Sequence, residues 1–373
     1  MGSSVFRWRF KIGSDTLSKL VESFVRLNIN PEMEDCFVSG AGDIARRPPT
    51  TTASIVTWNH AHCVDACIRS LLRQTCTPNS IFIYDNASAD GTREVLEKFK
   101  DRVTLFYSPE NRGFCGGHNF ALSRTRSDFV LLVNPDVVLR EDYVEKAVRR
   151  MSQDAKIGTV CGLLLQDGSD PKTCLVDGAG LTVAGSRRFL LRHHGAPASG
   201  LALEAQEVFG CDGALPFYRR AMMENISFEG QFFDEMFFAH KEDHDVSWRA
   251  QIFGWRTFFD PECVATHPRV FRPGNLDVRK KLAPELKYHA VKNDLLLLLK
   301  NETGPNFVRD FLRIVPRRLG ILLYALVREP YSLNAYGFVV RNWRRIRQAR
   351  QSVQRCRVAS SREIRRRFSL GAI

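Results

Sequence analysis

At 373 residues, 44% hydrophobic and 25% charged, the chain has the balance of a folded soluble protein and enough length for one large or two smaller domains. Its net charge of +13 is unevenly spread: residues 301–373 carry sixteen arginines, no lysine and four acids, a balance of +12. The first 300 residues are therefore close to neutral, unlike a domain wrapped in nucleic acid, and no specific nucleic-acid partner is expected.

Residues 1–50 read as a weakly patterned extension. Its opening, MGSSVFRWRFKIGSDTLSK, lacks the long apolar core of a secretory signal and the hydroxyl residue that completes a myristoylation pattern. The stretch LSKLVESFVRL has helical potential and assigns no chemistry. Ten cysteines run from Cys36 to Cys356 without a CxxC pair. Cys63 and Cys67 fit one helix face but no four-ligand zinc pattern follows, so reduced thiols of the cytoplasm are expected. No segment offers eighteen uninterrupted apolar residues, which argues against a membrane span.

From Thr52 the punctuation becomes regular. TASIVTW, SIFIYDN, VTLFYS and DFVLLVN read as strands, and HCVDACIRSLLRQ, ADGTREVLEKF and GGHNFALSRT as the helices between them. Such alternation predicts an α/β fold with a mostly parallel sheet covered on both faces. Right-handed crossovers then collect the loops after successive strands along one edge, where ligands of such sheets bind. That edge gathers Thr57, Asn59, Asp85, Asn86 and the run Asn134 to Asp136. Asp136 follows a fully apolar strand. It reads either as a hard oxygen ligand for a divalent cation or as part of a turn that caps the next helix. The glycines of GFCGGHN permit close backbone approach, to a substrate or between helix and sheet. Arg112, just before them, reads as a phosphate partner or as a solvated arginine.

A second region, Lys156 to Arg272, includes the strand-like IGTVCGLLL and EVFGCDGALPFYRRA, then the dense segment FDEMFFAHKEDHDVSWRAQIFGW. Glu242 and Asp243 stand at a predicted helix start, where acids are favoured. Asp245 and Arg249 are spaced for an ion pair on one face. The aromatics around them put that helix start against a core, where an acid can be desolvated and poised as a general base. His267 follows a strand and reads as an imidazole ligand or a hydrogen-bonded core histidine. Beyond Pro273 the chain turns helical and basic. In NFVRDFLRIVPRRLGILLYALVREP, Phe311, Leu312, Val315, Leu319, Leu322, Leu323 and Leu326 make an apolar face, bent at Pro316. It suits an anionic membrane surface, or packing on the domain or across a homo-oligomer.

Taken together, TWNH, YDNASADGT, NRGFCGGHN, LLVNPDV and FDEMFFAHKEDHDVSWRAQIFGW resemble family 2 glycosyltransferases, nearest to bacterial rhamnosyltransferases and related polysaccharide enzymes, over Thr52 to Lys300. The resemblance implies a GT-A fold and inverting, metal-dependent transfer (Mg2+ or Mn2+) from a nucleotide diphosphate sugar. It implies a nucleotide-sugar-binding half over 51–150, an acceptor and catalytic half over 151–275, and a helical basic region over 276–373. On matching positions, Thr57, Asn59 and Asp85 line the nucleotide pocket. Asp136 is the surviving second acid of a DxD motif whose first acid is replaced by Asn134, and His267 joins it at the metal. Asp243 is the base, beside Glu242; Asp234 and Glu235 approach the sugars, and Lys292 with Asn293 the diphosphate. The implied donor is dTDP-L-rhamnose, or else a UDP-sugar. The implied acceptor is a growing polysaccharide or lipid-linked saccharide, in the cytoplasm or at the cytoplasmic membrane face. A non-catalytic membrane or nucleic-acid-binding protein is the alternative from another class.

Overall fold

The four predicted strands form β1 (Thr51–Thr57), β2 (Ser80–Asp85), β3 (Thr104–Tyr107) and β4 (Phe129–Val133), in a computed structural model that describes residues 47–166, 174–268 and 276–371. All but the last four residues of the 1–50 extension lie outside the described residues. The four strands pair in parallel, in the spatial order β4-β1-β2-β3. Their alternation is two-sided. Ile81, Ile83, Ala53, Ile55, Leu131 and Val133 pack into one core, and Phe82, Tyr84, Val130 and Leu132 face the other side. Burial on both faces explains why these strands read as apolar runs. Truncating Leu131, fully buried, to alanine costs about 2–5 kcal/mol.

The sheet continues past β4. The remaining strands are β5 (Val138–Leu139), β6 (Ile157–Leu165), β7 (Val176–Gly178), β8 (Leu181–Val183), β9 (Phe189–Leu191), β10 (Gln206–Val208), β11 (Phe217–Arg219) and β12 (Arg256–Thr266). The main path runs β10-β12-β6-β11-β4-β1-β2-β3, with β11 antiparallel to both neighbours and β12 parallel to β6. β8 and β9 form a separate hairpin.

Before β6, the helices are α1 (Val64–Leu72), α2 (Thr92–Glu97), α3 (Gly113–Ser123) and α4 (Tyr143–Ser152). The α3 helix begins earlier than GGHNFALSRT suggests, at Gly113, so Gly116 and Gly117 lie within it. Their smallness serves packing: a Cβ on Gly117 would meet Val56 at 2.8 Å, and α3 lies directly on β1. Next come α5 (Arg220–Ile226), α6 (Glu242–Ile252), α7 (Leu276–Lys281), α8 (Pro284–Asn301), α9 (Gly304–Arg309), α10 (Phe311–Arg328), α11 (Asn334–Arg341), α12 (Trp343–Arg355) and α13 (Ser361–Arg367). The last seventy residues are part of the body. Leu296 and Leu297 of α8, Ile346 and Val353 of α12 and Ile364 of α13 share a core with Trp248 of α6.

Several tail arginines point inward as well. Arg317 and Arg318 reach Asp294 at 3.2 and 3.0 Å, Arg350 donates to the carbonyls of Leu299 and Glu302, and Arg367 to that of Gln251. The chain runs helically through Pro316.

Candidate active site

Strand order places the crevice. The chain leaves β1 for β2 on one side and returns to β4 on the other, so the loops after β1 and β4 diverge and leave a cleft beyond the carboxyl ends. Thr57 ends β1 and is fully buried. Asn59 follows in the left-handed region at φ 60°, its backbone N–H donating to Ser88 Oγ and its Oδ1 accepting from the Ala89 N–H at 2.8 Å. It thereby joins the loop after β1 to the loop after β2. Asp85 ends β2, fully buried, and accepts from Arg93 Nε at 2.9 Å. The backbone N–H of Arg112 donates to Asn86 Oδ1 and Asn86 Nδ2 to the Gly113 carbonyl. The Arg112 guanidinium lies 3.6 Å from Glu235 and is half-exposed.

Beyond β4, Asn134 and Asp136 bracket Pro135. His267, at the end of β12, turns Nε2 to within 3.5 Å of Asp136 Oδ2 and Nδ1 to within 2.8 Å of Asp177 Oδ2. Burial pushes the imidazole pKa down, but the two carboxylates outweigh it and raise it to about 9. For Asp136 burial likewise works upward, and the hydrogen bond from His267 prevails, holding the carboxyl below its usual value. Once a cation displaces the Nε2 proton, which the two carboxylates otherwise hold on the ring, Asp136 with His267 can supply one oxygen and one nitrogen donor. Asp177 fixes the ring through its other nitrogen, as an outer-shell carboxylate does for a metal-bound histidine. Among the described residues no group of three or more such side chains closes a metal cage. The donor set fits a cation that takes its remaining ligands from a diphosphate and water.

A segment between β10 and β11 links this end to α6. The Asn134 N–H donates to the Ala214 carbonyl at 2.9 Å, and the neighbouring Gly213 N–H donates to Asp243 Oδ2 at 2.9 Å. The His244 N–H donates to Asp243 Oδ1 at 2.8 Å. Glu242, one residue earlier, is buried. That burial, with the charge of Asp243 beside it, pushes its pKa up to about 8. Asn134, Asp212, Gly213, Glu242, Asp243 and His244 line a cavity of about 770 Å³, walled further by the β8–β9 hairpin, α8 and α10. Across it Phe189 stacks on His244 with ring centroids 4.2 Å apart.

Other expected site residues stand elsewhere. Asp234 is buried against Lys300 at 2.6 Å, and Lys300 also reaches Asp245 at 3.2 Å. Asp245 pairs Arg249 at 2.8 Å, as its i, i+4 spacing predicts. Asp234 thus belongs to an internal ion network and does not line the cavity. Lys292 is buried with Nζ donating to the Met236 carbonyl, and burial lowers its pKa to about 8. Asn293 Nδ2 donates to the carbonyls of Phe237 and Ala239 at 3.0 and 2.9 Å. Both residues secure the turn before α6 rather than reaching the cleft. Asp177, Asp212 and Lys300 are absent from the sequence reading. The Asp-Gly pairs of VDGAG and CDGA were the available signal, and long-range pairing alone gives them partners.

Residues 52–226 match the model of Glycosyl transferase family 2. The uncharacterized glycosyltransferase YfnE of Bacillus subtilis (strain 168) is 33% identical over 97 residues, 25% of this chain and 24% of that protein. The O-antigen chain rhamnosyltransferase WbaN of Salmonella anatum is 26% identical over 115 residues, 31% of this chain and 34% of that protein. The chain spans half or less of the length of these curated relatives. Among solved structures, residues 1–349 of S. aureus TarS align with a TM-score of 0.51 at 15% identity, over 86% of this chain and 89% of that one. GalNAc-T7 with UDP, GalNAc and Mn2+ aligns with a TM-score of 0.53 at 13% identity, over 68% of this chain and 48% of that one. The likeness is one of fold, and the fold is GT-A.

Proposed function

We propose that this chain, whose residues 52–226 match the model of Glycosyl transferase family 2, is a transferase of that family and moves a sugar from a nucleotide diphosphate donor to a saccharide hydroxyl with inversion. The observation that carries the reading is the Gly213–Ala214 bridge, which ties Asp243 to the Asn134–Asp136 turn. Asn134 lines the cavity beside Asp243, and through it the base would stand next to the leaving-group site at Asp136 and His267. The nucleotide would lie over Thr57, Asn59 and Asp85, with Arg112 toward phosphate. Asp136 and His267 would hold Mg2+ or Mn2+, which supplies positive charge beside the departing diphosphate.

Asp243 accepts the proton of the acceptor hydroxyl as that oxygen attacks the anomeric carbon from the face opposite the diphosphate. The new carbon–oxygen bond forms while the sugar–phosphate bond breaks, and its electron pair leaves on the diphosphate. One displacement suffices, without a covalent sugar on the protein. Gly213 and His244 aim the carboxylate, and Glu242, proton-bearing at neutral pH, keeps a second negative charge away from it. The donor proposed is dTDP-L-rhamnose, supported by the similarity to WbaN, with a UDP-sugar second. The acceptor is a growing polysaccharide or a lipid-linked saccharide, met in the cytoplasm or at its membrane face. The test is purified protein with a panel of nucleotide sugars and membrane lipid extracts, with and without Mg2+ or Mn2+. Donor consumption with a new glycoside is expected; no turnover of any donor refutes the reading.

A further inference from the structure

The α10 helix faces the wrong way for an ordinary packed helix. Its inward side is formed by Ile314 and Ala325, both buried, with Arg317 and Arg318 fastened to Asp294 at 3.2 and 3.0 Å. Its outward side is the apolar one. Leu312 is 83% exposed, Leu319 51%, Leu323 61%, Leu326 52% and Val327 75%. The steps between them, of seven, four, three and one residues, keep all five on one helix face. Exposed arginines stand beside the start of the stripe at positions 309 and 313. Contiguous exposed aliphatics on a helix that is already anchored by its other face mark a surface made for something else.

We propose that α10 lies in the surface of an anionic lipid bilayer, with its leucines in the acyl boundary and the flanking arginines among the headgroups. Charge complementarity selects this occupant: with Arg317, Arg318, Arg350 and Arg367 tied inward, ten of the sixteen arginines after residue 300 remain exposed, the sign drawn to anionic leaflets. A second copy on the same stripe, paired about a two-fold axis, would bring matching arginine-flanked faces together, like charge against like. Among the described residues no helix is long and apolar enough to cross a membrane, so an in-plane helix is the geometry available. The same helix also walls the cavity, through Arg317, Gly320, Ile321, Tyr324 and Ala325. A lipid-carried acceptor would thus find the cavity at the bilayer surface, a consequence that rests on the transferase reading while the docking itself does not.

The test is co-sedimentation of the full chain with phosphatidylcholine vesicles with and without phosphatidylglycerol, at low and high salt. Two exposed pairs are changed: Leu319→Gln with Leu323→Gln, and Arg309→Gln with Arg313→Gln. Binding of the wild type to the anionic vesicles, lost at high salt, is expected, and each pair should weaken it roughly tenfold or more. Thermal melting and lipid-free donor consumption should stay as in the wild type. Failure of the wild type to bind, or equal binding by both variants, overturns the proposal. So does a solution dimer that the leucine pair dissociates, because a second copy then covers the stripe. Vesicle binding without turnover of any donor would leave the docking standing and count against the transferase alone.

Discussion

Two neighbouring carboxylates with different protonation make the sharpest prediction, tested by Asp243→Asn and Glu242→Gln in separate proteins. Asp243 accepts backbone N–H bonds from Gly213 and His244 at 2.9 and 2.8 Å. Asparagine keeps one acceptor and turns an NH2 toward the other N–H, which costs about 1–3 kcal/mol of stability. That is within the 5–15 kcal/mol or so of a typical fold, so the protein should remain folded. It can no longer take the acceptor proton, and transfer should fall by at least about a hundredfold. Glu242, held up to about 8 by burial and then by Asp243, carries its proton at neutral pH. Glutamine imitates that neutral form, so Glu242→Gln should retain transfer to within about tenfold, about 1.4 kcal/mol of barrier. Above pH 8 or so the wild type should lose activity as Glu242 ionises against Asp243, and Glu242→Gln should lack that alkaline decline. Stability follows the same sign. The folded value lies above the ordinary 4.5, so the folded state binds more protons between the two values and stability falls as pH rises through that window. Initial rates of glycoside formation across pH, with denaturant unfolding alongside, check both. Equal losses in the two variants, or an alkaline decline that survives in Glu242→Gln, would refute the assignment.

Asp177→Asn should leave the fold intact and raise the Mn2+ concentration for half-maximal transfer about 10–100-fold; an unchanged metal titration counts against the Asp136–His267 pair as the cation site. Gly113→Ala places a Cβ 2.5 Å from the Phe238 carbonyl oxygen at φ +70°, so thermal melting should show a loss of at least about 1 kcal/mol. Lys300→Met leaves Asp234 and Asp245 facing one another in the interior without their shared cation, and denaturant unfolding should show about 3–5 kcal/mol of destabilisation. A loss of less than about 1 kcal/mol would mean that water reaches the pair.

The first half of the fold was legible because its strands are short apolar runs ended by polar residues, and each predicted loop lies at the predicted sheet edge. Asn59, Asp85 and Asp136 could be placed there from strand ends alone. The Asp245–Arg249 pair was legible from helical spacing. Asp234 and Lys292 were not, because an acid or lysine in an aromatic segment looks the same whether it meets a substrate or a buried counter-charge. Their partners, Lys300 and the carbonyl of Met236, are more than fifty residues away. The tail misled in another way. Its apolar face was visible, but only the packed structure shows Ile314 and Ala325 inward and Leu312, Leu319 and Leu323 outward.

The turn before α6 explains why a lysine and an asparagine remote from the cleft matter to it. Phe238, His240 and Lys241 all adopt left-handed backbone, at φ 64°, 74° and 67°, and each such residue costs on the order of 1–3 kcal/mol. A chain left to itself would relax out of that conformation and carry Glu242 and Asp243 with it. Here the carbonyls from Met236 to His240 are held one by one. Lys292 takes that of Met236, the two amide protons of Asn293 are shared among those of Phe237, Ala239 and His240, and the Cys115 N–H takes that of Phe238 at 3.0 Å. Lys241 is fastened to Asp294 at 3.0 Å, and the Phe238 ring stacks on His289. Three consecutive residues of α8 (Lys292, Asn293 and Asp294) thus template the strained turn, while Gly113 makes room for Phe238. The position of the carboxylate pair is set by a helix far along the chain from the loops after β1 and β4. Geometry at Asp243 therefore depends on residues 236–241 and 292–294 as one unit, held with little freedom to reorganise, which is what the proposed base would require.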